Sequence, residues 1–200
     1  MLRFLSLLPV LALVAACAAE DPLNAPLSDL GAYRLGHNVV IASKAQKGPV
    51  SRDATPEEWQ AVMRSAVQKR FGQYQGDQLY HFGISVEGYM LAPAGVPLLY
   101  TPKSALIINV TVWDDAANAK LNAEPKQFTI FESTTGESFV AGSGHTRSKE
   151  EQMAGLAANA MTEIEEWMVE QKEAEGWFLP RPGAATTVTV PSDEVQPPEE

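Results

Sequence analysis

One cysteine, Cys17, stands in 200 residues, so no disulfide can form within the chain. Histidine is almost as scarce. His37, His81 and His145 lie far apart, without HxxxH or HxH spacing, whereas a zinc centre needs three or four converging ligands. The 15 Lys and Arg are scattered and the formal charge is −10, so nothing attracts a nucleic-acid backbone. No Walker loop or Rossmann fingerprint is present; Gly72, Gly76 and Gly83 are wrongly spaced and precede no helix. Gly142-Ser143-Gly144-His145 sets a serine near a histidine, but it lacks the GxSxG form of a nucleophile elbow. Asp114-Asp115 lacks the further ligands of a calcium loop and reads as the end of a strand. Glu163, Glu165, Glu166 and Glu170 read as the solvated face of a helix. The expectation is a non-catalytic chain with no cofactor and no metal.

What is present begins with 45% hydrophobic residues, enough for the packed core of one domain. Met1-Leu2-Arg3 supplies a short positive start, and Phe4 to Ala16 is apolar except for Ser6 and Pro9. That run is shorter than the roughly 20 residues that span a bilayer. It fits the apolar region of a secretory signal. Val14-Ala15-Ala16-Cys17 resembles the lipobox of bacterial lipoproteins. The resemblance implies cleavage between Ala16 and Cys17, a diacylglyceryl group on the Cys17 sulfur and acylation of the new amino terminus. Such chemistry consumes the lone thiol. Each buried CH2 contributes about 0.8 kcal/mol, so two or three chains hold a protein at a membrane while one does so only marginally. Ala18 follows the cysteine, a pattern that resembles outer-membrane sorting. The expected location is the cell envelope, lipid-anchored, at the outer membrane facing the periplasm.

Four regions follow from composition: a signal peptide over 1–16, a lipidated N-terminus and tether over 17–32, an α+β domain over 33–179, and a disordered acidic tail over 180–200. Pro22 and Pro26 interrupt the tether, and Pro191, Pro197 and Pro198 mark the tail. Within the domain, Val39-Val40-Ile41 predicts a first strand. Thr55, Pro56 and Glu58 predict a capped helix start, continued by Trp59, Val62, Met63, Ala66, Val67 and Phe71 at helical spacing. Tyr80, Phe82, Ile84 and Val86 alternate with polar residues, as do Leu106, Ile108, Val110 and Val112. Gln127 to Ser133 and Ser138 to Ser143 predict a hairpin around Gly136. Ser148 and Glu151 cap a long helix whose stripe includes Met153, Leu156, Met161, Ile164 and Trp167.

This order predicts a mostly antiparallel sheet of four to five strands with two helices packed on one face. The lipobox, the helix from Trp59 to Phe71, the strand ending Val110-Thr111-Val112-Trp113-Asp114 and the late helix from Met153 to Met168 resemble, in element order over 33–175, envelope assembly and transport-auxiliary lipoproteins of the LptE-like and ABC-transporter-auxiliary kinds. The anchor, the absent chemistry and the apolar segment after Met90 lead to the expectation of a non-catalytic domain that binds another envelope protein. Tyr89 to Pro102 is apolar but broken by Pro93, Pro97 and Pro102; it is either a lid over the core or a docking loop presenting Val96, Leu98, Leu99 and Tyr100. The alternative function is a lipid- or small-ligand-binding module, which requires a cavity lined by Trp59, Phe82 or Trp167. An enzyme would require His81 or His145 to converge with Asp and Ser side chains.

Overall fold

Thr55 begins the first helix, α1 (Pro56–Phe71), with a reciprocal cap: its hydroxyl accepts from the Glu58 amide, and the Glu58 carboxylate accepts from the Thr55 amide at 2.8 Å. Ser148 and Glu151 repeat the device at α2 (Lys149–Glu175), which ends at Gly176 in a left-handed conformation with φ +71°. In this computed structural model the described residues are 21–93, 103–132 and 147–181. The leader and Cys17, the loop carrying Val96, Leu98, Leu99 and Tyr100, the strand expected over Ser138 to Ser143, His145 and the tail beyond 181 lie outside them.

Among the described residues, six strands form one sheet: β1 (Tyr33–Ile41), β2 (Gln46–Lys47), β3 (Gln78–Met90), β4 (Ala105–Asp114), β5 (Ala119–Lys120) and β6 (Lys126–Phe131). β1 and β2 lie along one side of β3, β4 along the other, and β5 and β6 along the far side of β4. The α+β class with two helices is found, but the mostly antiparallel sheet of four to five strands is corrected to a mixed sheet of six. β1 and β2 run parallel to β3, whereas β3–β4, β4–β5 and β4–β6 are antiparallel. The cause is α1, which carries the chain back so that β3 starts beside the start of β1. A helical crossover between neighbouring strands makes them parallel. The two-residue strands β2 and β5 are too short to carry an alternation signal.

The helices cover one face of this sheet. Tyr80, Phe82, Ile84 and Val86 of β3 join Leu106, Ile108, Val110 and Val112 of β4 and the inner stripes of α1 and α2 in one core. A bulge in β1 keeps that strand in phase. Pairing passes from Leu35↔Tyr80 to Asn38↔Phe82, so β1 holds one extra residue. Without it Val40 would turn outward; with it Val40 is buried, and Val39 and Ile41 project to the other side. Gly36 sits at the bulge because a Cβ there would collide with the His81 ring.

The segment expected to serve as a tether is held against the helices from Asp21 onward. Asp21 caps the 3-10 turn Pro22–Asn24, which packs on both α1 and α2, and pairs with Lys69 at 2.5 Å. Arg70 donates to the carbonyls of Ala25 and Pro26, the Ser28 amide donates to Glu165, and Lys172 pairs with Asp29 at 2.6 Å. At the far end Trp177 and Phe178 turn back into the core. Tyr33 lies stacked on Tyr80 at 5.6 Å and edge-on to Phe178 at 5.2 Å. The Ala32 amide donates to the Phe178 carbonyl at 2.9 Å.

Candidate functional site

Among the described residues, the sheet face opposite the helices carries exposed apolar side chains. Phe131, 59% exposed, lies opposite Ala105, and Leu79 lies opposite Arg34, both away along the sheet from Val39 at 55% and Ile41 at 54%. Register places Val39 and Ile41 among polar neighbours: Val39 pairs with Gly83 and Gly83 with Thr111, and Ile41 pairs with Ser85 and Ser85 with Asn109. Gly83 lacks the side chain that would fill the middle of this array. A Cβ there would meet only Thr111, at 3.9 Å. The result is a shallow hollow of about 300 Å³ bounded by Val39, Ile41, Gly83, Ser85, Asn109 and Thr111, with Glu87 and Pro125 at its rim. It has apolar walls on the β1 side, hydroxyls and an amide on the β4 side, and no cation. Such a surface suits a contact of mixed polarity.

A histidine pair lies at the β1 bulge, with His81 two residues before Gly83 on β3. His37 and His81 stack with ring centroids 5.0 Å apart. The His37 amide donates to His81 Nδ1 at 2.7 Å, so that nitrogen bears a lone pair and the ring proton sits on Nε2. Nε2 in turn lies 2.9 Å from Asp115 Oδ1 and donates to it. The convergence of His81 with an aspartate, one element of an enzyme, is therefore present. Both ring nitrogens are engaged, and His81 has no free lone pair with which to take a proton from a substrate. Its effect is to hold the β1 bulge against β3 and β4.

A second charged cluster lies on the other side of the molecule. Glu165, expected on a solvated helix face, is 4% exposed. Its Oε2 accepts from Arg70 Nε at 2.7 Å, and its Oε1 accepts from the Tyr74 hydroxyl and the Ser28 amide. Burial and the adjoining carboxylate push the Tyr74 hydroxyl far above its ordinary range. Every strong donor here has its acceptor, which defines a structural clamp. A signal for it existed: Arg70 and Glu165 each fall on the apolar stripe of their helix, between Val67 and Phe71 and between Ile164 and Met168. Asp114 is likewise buried, with its carboxylate taken by the Ala117 amide and Arg181.

The rings named for a ligand cavity are packed against one another. Trp59 meets Tyr89 at 5.4 Å, Phe82 meets Phe71 at 4.9 Å, and Trp167 lies between Phe128 and Trp177. Val96, Leu98, Leu99 and Tyr100 lie outside the described residues, and the residues flanking that segment are described. Ala92 and Ser104 are joined by a hydrogen bond, the Glu132 amide donates to the Ser104 carbonyl, and Arg147 pairs with Glu132 at 2.8 Å. Ala92, Ser104, Glu132 and Arg147, which flank 94–102 and 133–146 in the sequence, therefore lie together. Among the described residues no group of three His, Cys, Asp or Glu is placed to hold a metal, and no helix is long and apolar enough to cross a membrane.

No family model matches the chain, and no curated protein does. Among solved structures it is similar to protein XCC0632 of Xanthomonas campestris, assigned to the family model DUF330. Identity is 12% and the TM-score 0.46, over 72% of this chain and 87% of that one. Protein CT253 of Chlamydia trachomatis is similar at 8% identity and a TM-score of 0.36, over 74% and 98%. A minor lipoprotein of Acinetobacter baumannii is similar at 15% identity and a TM-score of 0.28, over 66% and 92%. At these scores the likenesses carry no functional argument.

Proposed function

We propose that this protein is a lipid-anchored envelope lipoprotein, of the assembly or transport-auxiliary kind, whose domain docks on another envelope protein without chemistry of its own. The anchor is Cys17 after cleavage from Ala16, and the membrane is the outer one, facing the periplasm. The observation that carries the docking role is the open sheet face: Val39 and Ile41 stand exposed beside the polar hollow over Gly83, while the opposite face is covered by both helices. Exposed apolar side chains rimmed by polar ones are the composition of a protein contact. The segment with Val96, Leu98, Leu99 and Tyr100, outside the described residues, is proposed as a further part of that contact.

Two measurements test this reading. Cys17→Ser should leave an unprocessed or soluble species; normal membrane partition of that variant would defeat the anchor. Photo-crosslinking from Thr111 in intact membranes should yield one specific protein adduct, lost on Val39→Asp with Ile41→Asp while the fold is retained. An adduct pattern unaffected by those changes would remove the open face from the proposal.

A further inference from the structure

We infer that the anchored protein is held on a short leash, with the outer surface of its helix pair against the phospholipid headgroups and the open sheet face turned away from the bilayer. This rests on the lipoprotein reading and specifies its geometry. The first observation is where the fold begins. Asp21 is already fixed by Lys69, by its own cap on the Leu23 amide and by the packing of the Pro22–Asn24 turn on α1 and α2. The clamp of Arg70 and Glu165 then holds Ala25, Pro26 and Ser28, and Lys172 holds Asp29. From Asp21 to Asp29 the chain is held at each of these points. The second observation is covalent: Cys17 precedes Asp21 by four residues, which span at most about 14 Å when fully extended.

The third observation is the side on which Asp21 lies. It borders a groove between the helices together with Ser65, Lys69, Ala154 and Gly155, of which Ser65 and Ala154 are exposed. The helices separate this groove from the sheet. Passing half-way round one helix about 11 Å across already takes about 17 Å, more than the leash provides. A lipidated Cys17 at headgroup depth therefore cannot serve a domain whose sheet face lies on the membrane. Charge does not set this orientation. The helix pair shows Arg64 and Lys69 but also Glu57, Glu163, Glu166 and Glu170, which is no basic patch for anionic lipid. The leash alone determines it. The consequence is that the hollow over Gly83 and the residues Val39 and Ile41 face the aqueous compartment, available to a partner approaching from there.

A photo-reactive benzoylphenylalanine placed at Ser65 or Ala154 of the full chain, in membranes, should give phospholipid adducts many-fold above those from Ser85 or Thr111. A flexible Gly/Ser insert of about 20 residues before Asp21, long enough to reach round the domain, should abolish that difference. Equal adducts from both faces of the acylated protein, or an excess from the sheet face, would overturn the inference, as would an insert without effect. Mass analysis of Cys17 in the same membranes reports the anchor separately. Should the thiol prove unmodified, the lipoprotein reading falls. Coupling Cys17 to a maleimide-bearing phosphatidylethanolamine in phosphatidylcholine vesicles then tests the leash by itself, with helix-face adducts expected and sheet-face adducts refuting it.

Discussion

Alternate residues of β4 live under opposite rules. Leu106, Ile108, Val110 and Val112 are wholly buried under the helices, whereas Ile107, Asn109, Thr111 and Trp113 keep partial contact with solvent. The strand is the same, its hydrogen bonds are shared, and only the side of the pleat differs. The inner set holds the fold; the outer set is free to vary with whatever meets it. The two charged clusters divide in the same way. Arg70 and Glu165 are sealed on the helical side and bind a strap of the chain, while His81 and Asp115 brace the exposed side with Asp115 in solvent.

The contrast is broken most severely at the clamp. Glu165→Ala leaves the Arg70 guanidinium buried without its counter-charge and frees the Ser28 amide. Loss of one partner of such a pair costs about 3–5 kcal/mol, readable as a lower midpoint in chemical denaturation. Ile108→Ala on the inner face removes a fully buried side chain, and the lost transfer energy and the cavity together cost about 2–5 kcal/mol. Equal stability of this variant and Thr111→Ala would contradict the two-faced sheet.

Acid should produce a smaller effect confined to the strap and the helix start. Lysine hydrogen bonds hold the carboxyls of Asp21, Asp29 and Glu58 below their ordinary range, through Lys69, Lys172 and Lys149 in turn. Their folded values lie below the unfolded ones, so their stabilising contribution is complete above the ordinary carboxylate range. It is lost as pH falls below the ordinary carboxylate range and through the depressed values. Glu163, raised by burial, opposes this in part. The protection factors of the Leu23, Gly31 and Thr55 amides should therefore fall in acid before those of the sheet, and salt should blunt the dependence, because these pairs are exposed. The smallest change is expected from Thr111→Ala, which should stay within about 0.5 kcal/mol of the parent in a melting experiment while weakening capture of the docking partner.

Much of this architecture is legible in the residues. Thr55-Pro56 with Glu58 and Ser148 with Glu151 announce both helix starts, because a capping box is a local device that needs nothing beyond its own four residues. The alternation in β3 and β4 is equally local. The strap was not legible as such: Pro22, Pro26 and scattered polar residues match a tether as well as a docked segment. What distinguishes them is Arg70, 45 residues beyond Ala25, reaching its carbonyl. The bulge at Gly36 was hidden for a similar reason, since its purpose is to seat the His81 ring of a neighbouring strand. Of the candidate site, the exposed Val39 and Ile41 lay inside an apolar triplet that reads as wholly buried until the bulge assigns its phase.

By itself the amino-acid sequence determined the helices with their caps, the two long alternating strands, the α+β class and the absence of common catalytic and metal motifs, because each depends on contacts within a few residues. Only the tertiary structure decided that β1 runs parallel to β3, that Glu165 is buried, that the chain from Asp21 is strapped to the helices, and which sheet face stays open. Those outcomes depend on which distant elements share a surface, and the free energy of burying one pairing rather than another belongs to the assembled core.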